Sequence, residues 1–351
     1  MSAAPEPVID AGLPIVDPHH HLWLRPAPVI EALERDSGLM ARSLMPAFRR
    51  HSRYLLDEFL ADLRSGHNVR ATVYVEVRSM YRTTGPEAMR SIGEVEFANG
   101  VAAMAASGAF GDIAVCAGIV GSVDLRRGDA ARDVMLAHIQ AGGGRYRGIR
   151  TQAVVFDPDP QVLGPLSQGV PQLMRDRQFR EGFRHLEPLG LSFEAWQLEY
   201  QLAELIDLAH AFPHTQIIVN HLGGLFGVGS HSGKTEQRFA QWRENMAALA
   251  RCPNVAMKLG GLGMPTCALP SSFSPAPTSL ELARDWKPYI ETCIEAFGVG
   301  RCMFESNYPV DAATTSYLVL WNAFKRIVGG ASADEKAALF SDTARRIYRL
   351  N

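Results

Sequence analysis

The chain has 351 residues, of which 47% are hydrophobic and 21% are charged, and its formal net charge is -2. This composition is typical of a globular protein with a large core, and the near-neutral charge favours a small-molecule substrate over a nucleic acid or an anionic membrane. The chain starts without the basic and apolar regions of a secretory signal and has no apolar run of the roughly 20 residues that span a bilayer, so we expect a cytoplasmic protein with reduced cysteines.

Short apolar segments rich in valine and isoleucine alternate along the chain with segments of helical periodicity. The predicted strands are residues 13–21, 69–77, 113–121, 147–155, 191–196, 216–221, 254–259 and 301–306. Eight such units favour a closed (β/α)8 TIM barrel, an α/β fold, as a single domain over residues 1–351; a doubly wound open sheet is the alternative. A capping box at Ser332 and Glu335 predicts a closing helix.

Two segments interrupt this alternation. Residues 22–53 follow the first predicted strand, and residues 260–280 follow the seventh. Loops of this length inside a compact domain are usually functional or disordered. Because barrel enzymes build their active sites at the carboxyl ends of the strands, we expect both long loops to cover a substrate.

The first predicted strand ends in three consecutive histidines. Side chains alternate across a strand, so Asp17, His19 and His21 are predicted on one face and His20 on the other, against the helices. The His19-x-His21 pair then points two imidazoles into the barrel mouth. This spacing suits two ligands of one metal ion or of one bound substrate. His221, in "VNHLGG" at the end of the sixth strand, is expected to join them.

Charged and amide side chains end several other strands. Arg150 and Gln152 share a face of the fourth strand, and Lys258 lies near the end of the seventh. These residues could bind a substrate carboxylate, or the two cations could form internal ion pairs with Glu76 or Glu194. Either glutamate could instead ligate a metal or accept a proton.

Six segments occur in a familiar order: "IVDPHHHLW", "GIRTQ", "VNHLGG", "MKLGGLG", "RCMFESNYPVD" and "LFSDTARRIYRL". Together they resemble the amidohydrolase-2 branch of the amidohydrolase superfamily, over nearly the whole chain. That branch contains TIM-barrel hydrolases, among them pyrone-dicarboxylate, fucono- and rhamnono-lactonases, and related nonoxidative decarboxylases. The resemblance implies the fold and the superfamily without specifying a substrate.

The resemblance also implies roles for individual residues. His19, His21 and His221 would surround the reaction centre and would hold zinc or manganese if a metal is bound, as in some members; the pyrone-dicarboxylate lactonase type works without metal. No organic cofactor is expected. The family pattern "SDWP" places an aspartate after the eighth strand, where this chain has Asn307.

The missing aspartate matters because in the family it is the general base that prepares the attacking water. An asparagine amide can orient a water or hold a carboxylate, but it cannot accept the proton. Three explanations follow, in order of preference. Another carboxylate, Glu305, Asp311 or Glu194, has taken over; the chemistry needs no base there; or the protein binds without catalysing.

The first functional hypothesis is a hydrolase that opens a carboxylated or hydroxylated lactone in aromatic or sugar catabolism. The three histidines would polarise the carbonyl, Asn307 would position water, and the substrate's acid group would be anchored by Arg150, Gln152 and Lys258, with Glu194 nearby. A metal-dependent nonoxidative decarboxylase is the second hypothesis, and a non-catalytic carboxylate-binding barrel is the third. The sequence does not fix the oligomeric state, although this architecture often forms a homodimer.

Overall fold

The computed structural model describes residues 6–36, 38–164 and 167–350. Its eight main strands are β1 (Pro14–His20), β2 (Asn68–Val75), β3 (Ala114–Ser122), β4 (Tyr146–Arg150), β5 (Ser192–Ala195), β6 (Ile217–Val219), β7 (Val255–Leu259) and β8 (Cys302–Phe304). They form one parallel sheet in chain order. The prediction of a (β/α)8 barrel is confirmed, and the open doubly wound sheet is not formed.

The barrel is closed between its last and first strands by backbone contacts just beyond β8. His20 and Tyr308 form a parallel bridge. The Asn307 amide donates to the His19 carbonyl at 3.0 Å, and the His21 amide donates to the Tyr308 carbonyl at 2.8 Å. The residues that close the barrel are therefore those that the sequence singled out as candidates for chemistry.

Helices surround the sheet and cap one end of it. The longer ones are Ala27–Asp36, Leu39–Arg50, Leu56–Leu63, Ile92–Ala106, Ala131–Ala141, Arg177–Phe183, Leu202–Ala211, Thr235–Ala250, Ser279–Phe297 and Tyr317–Ile327. The predicted capping box is present at the start of the closing segment, where the Ser332 hydroxyl accepts from the Glu335 amide at 3.2 Å. That segment runs through Ala333–Ala337 and the π-helix Ala338–Asp342 to Thr343–Tyr348. In the described part of the chain, no helix combines the length and apolarity needed to cross a bilayer.

Apolar side chains fill both faces of the sheet, which explains why the strands read as continuous hydrophobic runs. The larger cluster lies between strands and helices. A second cluster inside the barrel joins Val16, Val73, Val120 and Met303 to Tyr348 of the last helix. The closing helix thus contributes to the interior of the barrel as well as to its cover.

The segment after β1 differs from the predicted loop, because it contains two helices, Ala27–Asp36 and Leu39–Arg50. Its two ends are held together by a short antiparallel pairing of Trp23–Leu24 with Arg53–Tyr54. We call the segment between these pairings the insertion. It lies beside the barrel mouth and supplies one wall of the cavity described next.

Candidate active site

A cavity of about 450 Å³ opens at the carboxyl ends of the strands. This volume is within the range of small-molecule sites. Of the residues singled out in the sequence, its lining includes His21, Arg150, Gln152, His221 and Asn307. Gln152 and His221 lie just past the observed ends of β4 and β6, in short helical turns, so the predicted strands were too long there.

The three histidines cluster as predicted. The ring centroid of His19 is 4.9 Å from that of His21 and 4.6 Å from that of His221. His20 points the other way and stacks on Phe59 of an outer helix at 4.1 Å. Asp17 does not share the histidine face: the pairing with β2 shifts between Asp17 and His20, and the Asp17 carboxylate accepts hydrogen bonds from Ser306 and Tyr317.

Two of the histidines are held so that a nitrogen lone pair remains for a ligand. His21 Nδ1 lies 2.8 Å from the Val75 carbonyl, to which it must donate, so Nε2 of the neutral ring carries the lone pair. His221 Nδ1 lies 2.7 Å from Glu305 Oε1 and leaves its Nε2 in the same state. Burial holds the pKa of His19 and His21 well below the usual range, and the charges of Lys258 and Arg150 lower it further.

Glu305 joins the histidines into one cluster. Its Oε1 accepts from the ring and the backbone amide of His221. Its Oε2 is buried and lies 2.7 Å from His19 Nδ1, yet it has no aligned hydrogen-bond partner among the described residues. Ligand atoms of His19, His221 and Glu305 all lie within 4.8 Å of one another.

This arrangement fits a divalent cation. Two imidazole nitrogens and a carboxylate oxygen are donors that zinc accepts, and manganese also accepts such a set. A buried carboxylate oxygen without a hydrogen-bond partner is costly, and a cation would compensate it. His21, which the sequence predicted as a metal ligand, lies outside this group. Glu305 was predicted only as a replacement for the family's general base. Its position directly after β8, at the end of a strand, is the feature of the sequence that could have indicated a role as a metal ligand.

The turn after β7 packs closely against this cluster at Gly261. Gly261 has φ +70, and a Cβ there would lie 2.5 Å from ring atoms of His221. The "LGG" turn after β7 is therefore restricted to glycine both by its backbone conformation and by the imidazole beside it.

Arg150 is occupied by an internal partner. Its Nε donates to Glu76 Oε1 at 2.7 Å, and its Nη2 donates to the Glu76 carbonyl. Gln152 Nε2 lies 3.3 Å from Glu76 Oε1. Arg150 Nη1 is 3.3 Å from His19 Nε2. The alternative of an internal ion pair with Glu76 is what forms, and the guanidinium holds the His19 ring.

Lys258 and Glu194 form the second internal pair. Lys258 Nζ lies 2.9 Å from Glu194 Oε2 and 3.2 Å from His19 Nδ1. Glu194 also accepts from Asn220 and from the Tyr348 hydroxyl. Both residues are fully buried beneath the cavity rather than in its lining. Their arrangement supports the histidine cluster from below.

Asn307 is tied to Asp311 one turn further along the chain. Asn307 Nδ2 donates to Asp311 Oδ1 at 2.7 Å, and the Gly263 amide donates to Asp311 Oδ2 at 2.9 Å. With its amide nitrogen engaged, Asn307 has its carbonyl oxygen for a water or a ligand. Burial raises the pKa of Asp311 to about 8, and the nearby charge of Glu305 adds to the rise.

Comparisons with known proteins agree with this architecture. A family model described as "Amidohydrolase" matches residues 16–350. The uncharacterized protein y4mH of Sinorhizobium fredii is 34% identical over 340 residues, covering 97% of this chain and 100% of that protein. L-fucono-1,5-lactonase of Burkholderia multivorans is 24% identical over 340 residues, covering 95% of this chain and 96% of that protein. The crystal structure of a Burkholderia multivorans amidohydrolase with bound zinc is similar with a TM-score of 0.71 and 23% identity, over 96% and 99% of the two chains.

Proposed function

This chain belongs to the amidohydrolase family, and we propose that it is a hydrolase that opens a lactone bearing a carboxylate or hydroxyl groups. The main support for this proposal is Glu305 Oε2. This carboxylate oxygen is buried next to the His19 ring and has no hydrogen-bond partner in the described structure. The relative that opens L-fucono-1,5-lactone supports ester hydrolysis over other reactions.

His19, His221 and Glu305 are the residues that would hold a zinc or manganese ion. The zinc in the similar Burkholderia amidohydrolase supports this assignment. A bound cation would polarise the ester carbonyl and lower the pKa of a water molecule. Lys258 Nζ lies 3.2 Å from His19 Nδ1, so a cation would compete with that contact if this nitrogen held it.

The protein's own groups prepare the water and the proton. The Asn307 carbonyl oxygen accepts a hydrogen bond from the attacking water. Asn307 thereby orients the water, as the missing aspartate would, but does not accept its proton. When no cation occupies it, Glu305 Oε2 takes the proton, because the other candidate oxygens are engaged: those of Asp311 by Asn307 and Gly263, and those of Glu194 by three partners. Water oxygen bonds to the carbonyl carbon, the ring C–O bond breaks, and the ring oxygen receives the proton to give a hydroxy acid.

Glu305→Gln tests the proposal, because it keeps the shape of the side chain and removes both its charge and its basicity. We expect kcat/KM on the best substrate of a panel of sugar and carboxylated lactones to fall by about 100-fold or more, and bound metal measured by mass spectrometry to be lost. Glu187→Gln, at an exposed glutamate, is the matched control and should change neither.

Three other results would overturn parts of the proposal. Hydrolysis within about twofold of the parent rate in Glu305→Gln would exclude Glu305 as the base. Release of carbon dioxide from an aromatic acid, without hydrolysis of any lactone, would identify a decarboxylase. Ligand binding without any product would identify a non-catalytic barrel.

A further inference from the structure

The cations expected to bind a substrate's acid group are neutralised inside the protein. Arg150 is paired with Glu76, and Lys258 is paired with Glu194. A cation already compensated by a buried carboxylate offers little to a second anion, because the net charge of the pair is close to zero. If the ligand of this cavity is an anion, another residue must bind it.

Arg25, in the insertion, has the required properties. It lines the same cavity as His21, His221 and Asn307. Its guanidinium carbon lies 3.9 Å from the ring centroid of Trp23 and 4.0 Å from that of Phe48. Nη1 is buried and has no hydrogen-bond partner, and no carboxylate pairs with Arg25 in the described structure.

The two aromatic rings explain how the protein tolerates this charge. Cation–π contacts stabilise a guanidinium that has left bulk water, and they leave its edge of N–H donors available. Burial lowers the pKa of Arg25 only to about 10, so the side chain stays charged at neutral pH. Arg78 also lines the cavity, but it is exposed, and water screens its charge.

The wall beside Arg25 is apolar. The insertion contributes Val29, Leu33, Met40, Leu44 and Phe48 to the cavity lining. Val29 is 44% exposed and is therefore accessible to a ligand in the cavity. Such a wall offers few hydrogen-bond partners to a ligand covered with hydroxyl groups, and it suits a ring or alkyl body.

We propose that Arg25 is the anion-binding residue of this site, and that the ligand is a carboxylate whose apolar body packs against the insertion. This inference rests on the proposed function, because it takes the cavity to be the substrate site. It narrows the proposed substrates to carboxylated lactones with few hydroxyl groups. Charge-assisted, planar hydrogen bonding from the guanidinium would fix the carboxylate.

The experiment is calorimetric titration of the full-length protein with two probes of the same shape, phenylacetate and phenylacetamide, at neutral pH. The parent is expected to bind phenylacetate at least about tenfold more tightly than the amide. Arg25→Gln should remove that difference and leave the affinity for phenylacetamide within about twofold. Arg42→Gln, at an exposed arginine of the same insertion, is the matched control and should behave as the parent.

A second variant, Arg25→Lys, keeps the charge without the planar stack and should bind phenylacetate with intermediate affinity, which also guards against misfolding of Arg25→Gln. The inference is overturned if the parent shows no preference for phenylacetate, if Arg25→Gln keeps that preference, or if the control Arg42→Gln loses it. Binding is measured without turnover. An Arg25-dependent preference in a protein that hydrolyses no lactone would overturn the proposed function alone.

Discussion

Asn307 and Asp311 are a matched pair of side chains. A carboxylate at position 307 would lie against Asp311, which is fully buried and within 2.7 Å of the residue 307 side chain. Two buried carboxylates at this distance cannot both ionise. The asparagine that departs from the family pattern is therefore the partner that lets Asp311 accept a hydrogen bond.

Asp311 gives the activity an expected pH dependence. Its ionised form accepts from Asn307 Nδ2 and thereby directs the Asn307 carbonyl oxygen to the cavity, whereas the protonated form can donate and release that orientation. Because burial raises the pKa of Asp311 to about 8, kcat/KM should rise as the pH increases through about 8. Steady-state rates from about pH 6 to about pH 10 measure this.

The control for the pH profile is Asp311→Asn, in which position 311 no longer titrates. Its profile should lack the rise near pH 8, while the circular dichroism of the folded protein stays the same. A parent profile that falls through this range, or an unchanged rise in Asp311→Asn, would contradict the role of Asp311.

The insertion makes a close backbone contact with the rest of the chain at Gly38. Gly38 precedes the helix Leu39–Arg50, and a Cβ there would lie 2.3–2.5 Å from backbone atoms of Val162, Leu163 and Gly164. No side chain fits without a backbone shift. This contact is one of those that hold the helix Leu39–Arg50, and with it the apolar wall next to Arg25, against the barrel.

Gly38→Ala should therefore loosen the insertion. We expect about 1–3 kcal/mol of destabilisation from overpacking, a higher KM, and faster cleavage of the insertion by a protease. Gly100→Ala is the control, because Gly100 lies within the helix Ile92–Ala106 with open space around it. That change should stabilise the protein by about 0.5–1 kcal/mol. Equal KM values for Gly38→Ala and the parent would contradict this role of the insertion.

The elements and the strand-end residues were predictable because both follow from local sequence patterns. Continuous apolar strands alternating with helices give the barrel, and strand ends give His19, His221 and Asn307. The sequence suggested Glu76 and Glu194 as ion-pair partners of Arg150 and Lys258 but left substrate binding as an alternative, because each pair joins strands that are two apart in the sheet and forms only in the folded barrel. Arg25 was missed, since it lies in a segment treated as a loop; its place two residues after Trp23 was the available signal.

The first strand and the closing helix meet at the site, although they are far apart in the sequence. The Tyr348 hydroxyl donates to Glu194, Glu194 pairs with Lys258, and Lys258 contacts His19. The ring of Tyr348 also lies 5.4 Å from Lys258 Nζ. The closing helix thus supports the first strand through a continuous series of buried polar contacts.

Tyr348→Phe should test this support. Removing the hydroxyl leaves a buried Glu194 oxygen without its donor, so the free energy of unfolding should fall by about 1–3 kcal/mol in chemical denaturation. The rate of lactone hydrolysis should also fall, because Glu194 is no longer held in place by Tyr348 and so supports Lys258 and His19 less firmly. Tyr289→Phe is the control: Tyr289 packs on Phe239 and Trp242, its hydroxyl has no hydrogen bond in the described structure, and both quantities should stay near the parent values.

The meeting of β1 and the closing helix also has a consequence for biosynthesis. His19 leaves the ribosome before Tyr348, and the contact between His20 and Tyr308 forms only after β8 has emerged. A nascent chain therefore carries the histidines long before it can hold them in place. The centre can therefore be completed only after the closing helix has emerged.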